Sequence, residues 1–327
     1  MKPLARILIV CLSFALAAAG SARSDTPPSP LFKFGTLGAG DGQMDHPSGI
    51  AIGADGFVYV ADQHNERVNK FKKDGTFVTS WDVSAYYPGQ IPDPTGIAVS
   101  PAGLIYVTDH HIHVISIFTS SGTFLGTVGS PGSAPGQFYY PVFIAFDATG
   151  NYYVADSGNN RIDKFSSANA FLTSWGSWGF GPGQFATPYG VEVDALGFVY
   201  TGEVDGKRVQ KFTDTGTYVT SWGSPGVGDG QFGGAENIEA DNAGNVYVCD
   251  TGNNRIQKFT DGGSFLTKWG VMGSALGQLY TPSDIARDPV TGNFYVAEWN
   301  NARVQVFGDA PVPTVRRSWG QLKASYR

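Results

Sequence analysis

The residues of this sequence best suited to chemistry are its five histidines, which all lie between positions 46 and 113. They are His46, His64, His110, His111 and His113. Imidazole titrates near neutral pH and is a common ligand of transition metals. Gathered on one surface, these side chains would bind a metal or an anionic ligand, whereas scattered in exposed loops they would do neither. Which of these two arrangements holds depends on the secondary-structure elements that carry the histidines.

The chain is organised as a repeat of 47 residues, marked by Gly-Gln pairs at 42–43, 89–90, 136–137, 183–184, 230–231 and 277–278. In the copy at 130–176, four short runs of β-branched and aromatic residues alternate with turn-forming Gly, Asn and Ser. Four strands joined by tight turns make one antiparallel sheet. Six such sheets predict an all-β fold, a six-bladed β-propeller. The 44 glycines and the lack of a 3.6-residue period exclude a helical solenoid.

The outer-strand ending, typically Trp-Gly, occurs seven times for six copies of the inner strands, and its first occurrence is LFKFG at 31–35. We predict that this segment supplies the outer strand of the last blade and closes the ring. The final copy, RRSWG at 316–320, follows an irregular connection that contains two prolines. We expect it to be displaced or to form an extra edge strand. The propeller is therefore assigned to 31–320, and 321–327 to a tail.

Two segments carry a family resemblance: VADSGNNRI at 154–162 and VCDTGNNRIQKF at 248–259, each preceded in its repeat by GQF. In these motifs the chain resembles the NHL-repeat proteins, and the similarity extends over 31–307. The resemblance implies a six-bladed propeller but no single function, since the family includes RNA-binding proteins, ubiquitin ligases, kinase sensor domains and metal-dependent lyases. Two cysteines are too few for the RING zinc site of the ligases.

The topology of a four-stranded blade places the turn after the second strand and the connection into the next blade on one face. His46 lies in the connection into blade 1, and the other histidines lie in the second turns of blades 1 and 2. Blade 6, the neighbour of blade 1, has a tryptophan in its matching turn. The predicted ligand-binding residues of this face are His64, His110, His111, His113 and Trp299.

The innermost strands read PSGIAI, PTGIAV, PVFIAF, PYGVEV, AENIEA and PSDIAR. Larger or charged side chains replace small residues of the pattern at Phe143, Tyr189, Glu192, Glu236, Asn237, Glu239 and Asp284. A carboxylate near the axis must be paired, hydrated or metal-bound, because burying an unpaired charge is costly. We therefore expect an acidic and aromatic channel mouth, with Glu192, Glu239 and Asp284 as candidate metal ligands. Alternatively, the two glutamates only bond channel waters or neighbouring turns.

A second set of charges recurs in nearly every blade and is therefore expected to be structural. An acidic residue ends the second strand of each blade, and an arginine begins the third strand in all blades but the second, which has Val114. Such a repeated pair fixes a turn by ion pairing and hydrogen bonding. Cys249 replaces the alanine of a strand and is expected to be a buried, inert thiol.

The N-terminus predicts export. Lys2 and Arg6 precede an apolar run at 7–19, followed by small residues, which is the layout of a cleavable signal peptide at 1–22; an uncleaved anchor is the alternative. A polar, proline-rich spacer, expected to be disordered, follows at 23–30. Without Lys2 and Arg6, 20 basic residues face 28 acidic ones, a net charge of −8. We expect a secreted or periplasmic protein that does not bind nucleic acid.

These observations leave two main hypotheses. The first is a non-catalytic, monomeric scaffold that binds a protein, peptide or glycan through the histidine-bearing face. The alternative is a metal-dependent lyase or hydrolase with Ca²⁺, Mg²⁺ or Zn²⁺ at the channel mouth, in which His110 or His113 would be the acid or base. Catalysis requires these groups to converge on one reacting atom. A third role, as a surface-layer protein, would require self-association.

Overall fold

The computed structural model describes residues 26–308, which form six four-stranded antiparallel sheets arranged as a propeller. The first strand, β1 (Ser29–Phe34), belongs to the last blade. Blade 1 contains β2 (Pro47–Ile52), β3 (Phe57–Asp62), β4 (Arg67–Lys72) and β5 (Phe77–Asp82). Blade 2 contains β6 (Pro94–Val99), β7 (Ile105–Asp109), β8 (Val114–Phe118) and β9 (Phe124–Val128). Blade 3 contains β10 (Pro141–Phe146), β11 (Tyr152–Asp156), β12 (Arg161–Phe165) and β13 (Phe171–Trp175).

The remaining blades repeat this order. Blade 4 contains β14 (Pro188–Val193), β15 (Val199–Glu203), β16 (Arg208–Phe212) and β17 (Tyr218–Trp222). Blade 5 contains β18 (Ala235–Ala240), β19 (Asn245–Asp250), β20 (Arg255–Thr260) and β21 (Phe265–Trp269). Blade 6 contains β22 (Pro282–Arg287), β23 (Phe294–Glu298) and β24 (Arg303–Gly308), completed by β1. Short 3-10 turns span Gln63–Asn65, Ser84–Tyr86, Ser157–Asn159 and Thr251–Asn253. No helix within residues 26–308 has the length and apolar character needed to cross a bilayer.

The apolar core is divided among the interfaces between blades. Six clusters of buried side chains each combine residues of two neighbouring blades, including the pair formed by the last and first blades. The tryptophans that end the outer strands pack against the next blade. A Cβ on Gly216, whose φ is +85°, would lie 2.6 Å from the Trp175 indole, so this turn requires glycine. These tryptophans therefore serve packing.

The ring closes as predicted, with β1 antiparallel to β24 in blade 6. Phe34 pairs with Val304 and Phe32 pairs with Val306. The strand begins at Ser29, inside the segment expected to be a disordered spacer, because Ser29 and Pro30 extend the pairing to Gly308 and Phe307. The RRSWG segment at 316–320 lies outside the described residues, as do the predicted signal peptide and the 321–327 tail.

The recurrent acid–arginine pairs fix the turns, as expected. In blade 1, Arg67 Nε donates to Asp62 Oδ2 at 2.8 Å, and its other nitrogens donate to the carbonyls of Ala39 and Gln43 in the Gly-Gln loop. Each guanidinium thereby ties a second turn to the loop that enters its blade. In blade 2, which lacks the arginine, Asp109 instead accepts two backbone N–H groups of its own turn.

The connections into the blades and the turns after each second strand form one face of the ring, here called the entry face. In blade 1 the His64 N–H donates to the Asp45 carbonyl, and in every other blade a backbone N–H of the second turn likewise donates to a carbonyl of the entering connection. These segments bring the histidines to one face, as the topology predicted. Residues that stand at equivalent positions around this face differ in chemistry from blade to blade.

Candidate functional site

Three rings from two blades pack against one another on the entry face, and we call them the His46 cluster: His46, His64 and Trp299. The His46 ring lies 4.0 Å from the His64 ring and 3.9 Å from Trp299, and Trp299 is edge-on to both imidazoles. The Trp299 Nε1–H donates to Gln63 Oε1 at 2.8 Å. Because Trp299 belongs to blade 6, the cluster spans the interface at which the ring closes.

Asp45 completes this cluster with a carboxylate. Its Oδ1 contacts His46 Nδ1 directly and lies 3.6 Å from His64 Nδ1. The Asp45 N–H donates to Asp62 Oδ1, so the buried end of β3 holds the segment that carries Asp45 and His46. His46 has a left-handed φ of +55°, but Tyr140, Thr187 and Thr281 share that conformation at equivalent positions. The conformation therefore belongs to the fold, and the side chains are what distinguish blade 1.

A second group of rings, the His110 cluster, consists of His110, His113, Tyr139 and Tyr140 between blades 2 and 3. His110 and His113 each lie 4.7 Å from the Tyr140 ring, and Tyr139 lies 5.2 Å from His113. Tyr140 N–H donates to His113 Nδ1 at 3.0 Å, which requires that nitrogen to be unprotonated. Burial, aided by the neighbouring His110, lowers the pKa of His113. His113 is therefore a neutral imidazole at physiological pH.

Asp93 and Gln63 lie between the two clusters. Asp93 Oδ2 is 3.7 Å from His110 Nδ1. Burial alone would raise the pKa of Asp93, but hydrogen bonding with His110 and Gln63 lowers it, so the carboxylate is ionised at neutral pH. Since Gln63 also accepts from Trp299, it connects the His46 cluster to Asp93. His111 is exposed, and its Nδ1 contacts the Ile91 carbonyl at 3.1 Å.

Tyr189 and Glu236 occupy the entry-face end of the channel, as expected from the deviations in the innermost strands. The Tyr189 ring packs edge-on against the buried Phe143 at 5.8 Å. Burial raises the pKa of Tyr189, and the charges of Glu236 and Asp93 raise it further. Burial also raises the pKa of Glu236 to about 7, against the opposing effect of the Thr251 hydroxyl.

Asp284 lies deeper and is bonded to three blades. Its Oδ2 accepts the Ile50 N–H at 2.7 Å, and its Oδ1 accepts the Ile285 N–H at 2.6 Å and the Asn237 side-chain amide. At this position blades 1, 2 and 4 have glycine, and a Cβ on Gly96, for example, would lie 2.3 Å from the Val142 carbonyl. Burial raises the pKa of Asp284 to about 8, although its N–H donors favour ionisation. Through these bonds Asp284 links the innermost strands of blades 1, 5 and 6, which explains its presence as a structural residue.

Glu192 and Glu239 lie further along the channel, toward the opposite face. Burial raises the pKa of Glu192 well above its usual value and that of Glu239 to about 8, and the other channel carboxylates add to both effects. They line a cavity of about 220 Å³ together with Asp284, Phe143 and Arg287. Their mutual repulsion can be relieved by bound protons or by a bound cation.

The structure does not bring Glu192 and Glu239 to the histidines. Each lies four residues beyond the first residue of its strand, Pro188 or Ala235, which corresponds to about 13 Å along a β-strand. Glu236, Tyr189 and the two ring clusters instead share the entry-face end. The residues predicted to form one acidic and aromatic channel mouth therefore lie in two layers. Tyr189 and Glu236 lie at the entry face, and Glu192 and Glu239 lie deeper in the channel.

Sequence reasoning did not single out Asp45, Gln63, Asp93, Tyr139 and Tyr140. All five stand in the same connections and turns as the histidines. Tyr139 and Tyr140 replace the small pairs Ala186-Thr187 and Gly233-Gly234 of later repeats. The signal that marks these positions in the sequence is disagreement between copies of the repeat.

The NHL repeat family model matches residues 44–71, 138–165, 233–259 and 279–307. These segments cover blades 1, 3, 5 and 6, and the geometry of blades 2 and 4 is the same. The chain therefore carries NHL repeats and is an NHL-repeat six-bladed β-propeller.

Curated relatives match over one repeat. Protein lin-41 of Caenorhabditis elegans is 46% identical over 50 residues, which is 15% of this chain and 4% of that protein. The E3 ubiquitin-protein ligase TRIM71 of Rattus norvegicus is 38% identical over 48 residues, 15% of this chain and 6% of the ligase. The aligned segment thus spans a small fraction of these relatives, and it shows similarity of the repeat alone.

Solved structures match nearly the whole propeller at low identity. A streptogramin B lyase has a TM-score of 0.60 and 16% identity, covering 85% of this chain and 96% of the lyase. A gluconolactonase from Xanthomonas campestris has a TM-score of 0.63 and 13% identity, covering 88% and 99% of the two chains. At this identity the likeness shows a shared fold.

Proposed function

We propose that this chain is an exported, non-catalytic scaffold whose entry face binds a protein, peptide or glycan. The observation that carries the proposal is the pair of partly exposed ring clusters, His46–His64–Trp299 and His110–His113–Tyr139–Tyr140, at positions where the blades depart from their repeat. The repeat itself does not supply these rings, because the equivalent positions in blades 4 and 5 hold no His, Tyr or Trp side chain.

The chemistry of this face suits recognition of polar molecules with apolar surfaces. Tyr, Trp and His rings offer large contact areas with polar edges, and aromatic residues are enriched in protein interfaces. A cleft of about 390 Å³ lies beside the clusters, lined by His64, Asp93, His111 and the exposed Ile91. The ionised Asp93 gives this cleft an anionic group, which favours ligands carrying hydroxyl or ammonium donors.

A metal-dependent lyase or hydrolase remains the second candidate, and the lyase and lactonase among the structural neighbours are the reason to test it. The separation between the channel glutamates and His110 or His113 weighs against the arrangement expected from sequence. A general acid or base must lie within hydrogen-bond reach of the reacting atom. Binding requires no such convergence, so the geometry supports the scaffold better.

Peptide display and glycan arrays, screened with the untagged protein, would test the proposal. Ligands selected in this way should lose affinity for Trp299→Ala and Tyr140→Ala, by about tenfold or more if these rings are binding hot spots. Leu196→Ala is the matched control, because Leu196 is 81% exposed in a turn of the opposite face. Ligands that respond to Leu196→Ala but not to the entry-face variants would contradict the proposal. Export is tested separately, by fractionating cells that express the full chain.

A further inference from the structure

A carboxylate and two imidazoles converge at one point of the entry face. Asp45, His46 and His64 can each present a ligand atom such that these atoms lie within 4.8 Å of one another. We propose that these three residues bind a divalent transition metal ion, with Zn²⁺ as the best match. The site is distinct from the channel carboxylates, and its existence does not depend on the entry face binding a macromolecule.

The donor set selects the class of metal. Two imidazole nitrogens and one carboxylate oxygen suit zinc and neighbouring transition metals, whereas Ca²⁺ and Mg²⁺ prefer sites made wholly of oxygen. Three protein ligands leave one position of a tetrahedral zinc ion for water or a ligand atom. The direct contact between Asp45 Oδ1 and His46 Nδ1 already brings two of the three ligand atoms together.

The fold holds the three ligands in place from several directions. Backbone bonds fix Asp45 to Asp62 and His64 to the Asp45 carbonyl. Trp299 closes one side of the cluster by packing edge-on against both imidazoles. His46 is partly buried and His64 is 48% exposed, so an ion could enter from solvent beside His64. A small rotation of side chains therefore suffices to bind an ion.

Comparison between blades shows that the ligand set is not a by-product of the repeat. The positions of Asp45, His46 and His64 correspond to Pro92, Asp93 and His111 in blade 2, and to Tyr139, Tyr140 and Gly158 in blade 3. In blade 5 all three positions are glycine: Gly233, Gly234 and Gly252. Within the described residues, this is the cluster in which three such ligands converge.

The open coordination position adjoins the cleft at blades 1 and 2. His64 lines that cleft with Asp93 and His111. A bound ion there would offer a site for an anionic group, such as a carboxylate, of whatever molecule occupies the cleft. The metal would thus add an electropositive centre next to the anionic Asp93.

Zinc titration of the full chain, purified without a histidine tag and stripped with a chelator, tests the proposal by calorimetry. We expect one Zn²⁺ per chain and no comparable binding of Ca²⁺ or Mg²⁺ at this site. Asp45→Asn and His64→Ala should each weaken Zn²⁺ binding on the order of 100-fold. Asp205→Asn, at the position equivalent to His64 in blade 4, is the matched control and should bind like the wild type.

A second readout separates ligation from folding. Cu²⁺, a paramagnetic substitute for zinc, should quench part of the tryptophan fluorescence of the wild type, and Trp299→Phe should remove that part while Cu²⁺ still binds. Circular dichroism would confirm that each variant folds. The absence of stoichiometric Zn²⁺ binding in the folded wild type, or binding unchanged by both Asp45→Asn and His64→Ala, would overturn the proposal.

Discussion

The indole of Trp299, in blade 6, packs edge-on against the imidazole of His46, in the connection into blade 1, with ring centroids 3.9 Å apart. This contact lies where the last blade meets the first, so one pair of side chains belongs both to ring closure and to the candidate ligand-binding face. The same rings therefore affect stability and recognition, and variants must be designed to separate the two effects.

Trp299→Ala should lower the free energy of unfolding by about 1–2 kcal/mol, because it removes two ring contacts and the hydrogen bond to Gln63. Chemical denaturation followed by circular dichroism measures the change. Trp299→Phe keeps a ring and loses only the hydrogen bond, so it should cost less. Equal losses in the two variants would show that ring packing contributes little.

A substitution of Phe34 would test how much the N-terminal strand β1 contributes to closure of the ring. Its ring lies 4.9 Å from Phe71 of blade 1 while its backbone pairs with Val304 of blade 6. Phe34→Ala should therefore destabilise the propeller by about 2–4 kcal/mol, the range for removing a packed aromatic side chain with partial exposure. Leu172→Ala, on the exposed side of an outer strand of blade 3, should change stability little. Similar melting temperatures for both variants would mean that β1 is dispensable.

Because Asp163 is a buried carboxyl group, we expect the stability of the propeller to depend on pH. It is fully buried where other blades have Asn69, Gln210 or Gln257, whose amides donate to the neighbouring acid. Burial raises the pKa of Asp163 to about 8, partly offset by Arg161 and reinforced by Asp156. The folded state therefore binds a proton that the unfolded state releases near pH 4, and stability falls as pH rises from about 4 to 8.

Asp163→Asn supplies the amide found in the other blades and should flatten this part of the pH profile. At pH 8 the variant should be more stable than the wild type by on the order of 1–3 kcal/mol, whereas near pH 4 the two should be similar. Denaturant titrations at several pH values give the profiles. Parallel profiles for the two proteins would contradict the assignment of a buried proton to Asp163.

Glu192→Gln tests whether the channel holds a cation. Burial and the neighbouring Glu239 and Asp284 carboxylates raise the pKa of Glu192, so the neutral amide should be tolerated and should raise stability at alkaline pH. Thermal melts at pH 8, with and without Ca²⁺ or Mg²⁺, measure the effect. A variant that loses both stability and a stoichiometric divalent cation would instead support a metal in the channel and favour the enzyme hypothesis.

The repeat allowed the fold to be predicted from the sequence in more detail than the site. A period of 47 residues determined the number of blades, and the extra outer-strand motif at 31–35 correctly predicted that β1 pairs with β24. The topology also placed the histidines on one face, because the direction of the chain reverses at every turn. These inferences need only strand order, which the spacing of turns supplies.

Contacts within the site depend on side-chain direction and depth, which the repeat does not supply. Glu192 and Glu239 belong to strands that begin at the entry face, yet their positions along β14 and β18 place them about 13 Å further in. Asp45 carries no signal in the sequence, because an acidic residue in a Gly-rich loop has no distinguishing pattern. Its role emerges only where Asp45, His46 and His64 meet in space.

Hydrogen–deuterium exchange with and without a selected peptide or glycan tests the central claim, that the entry face is the ligand-binding surface. Bound ligand should slow exchange in the turns at 63–66 and 110–113 and in the connection at 139–140. The turns at 53–56 and 194–197, on the opposite face, should exchange at unchanged rates. Protection confined to the opposite-face turns, with the entry face unaffected, would contradict the account.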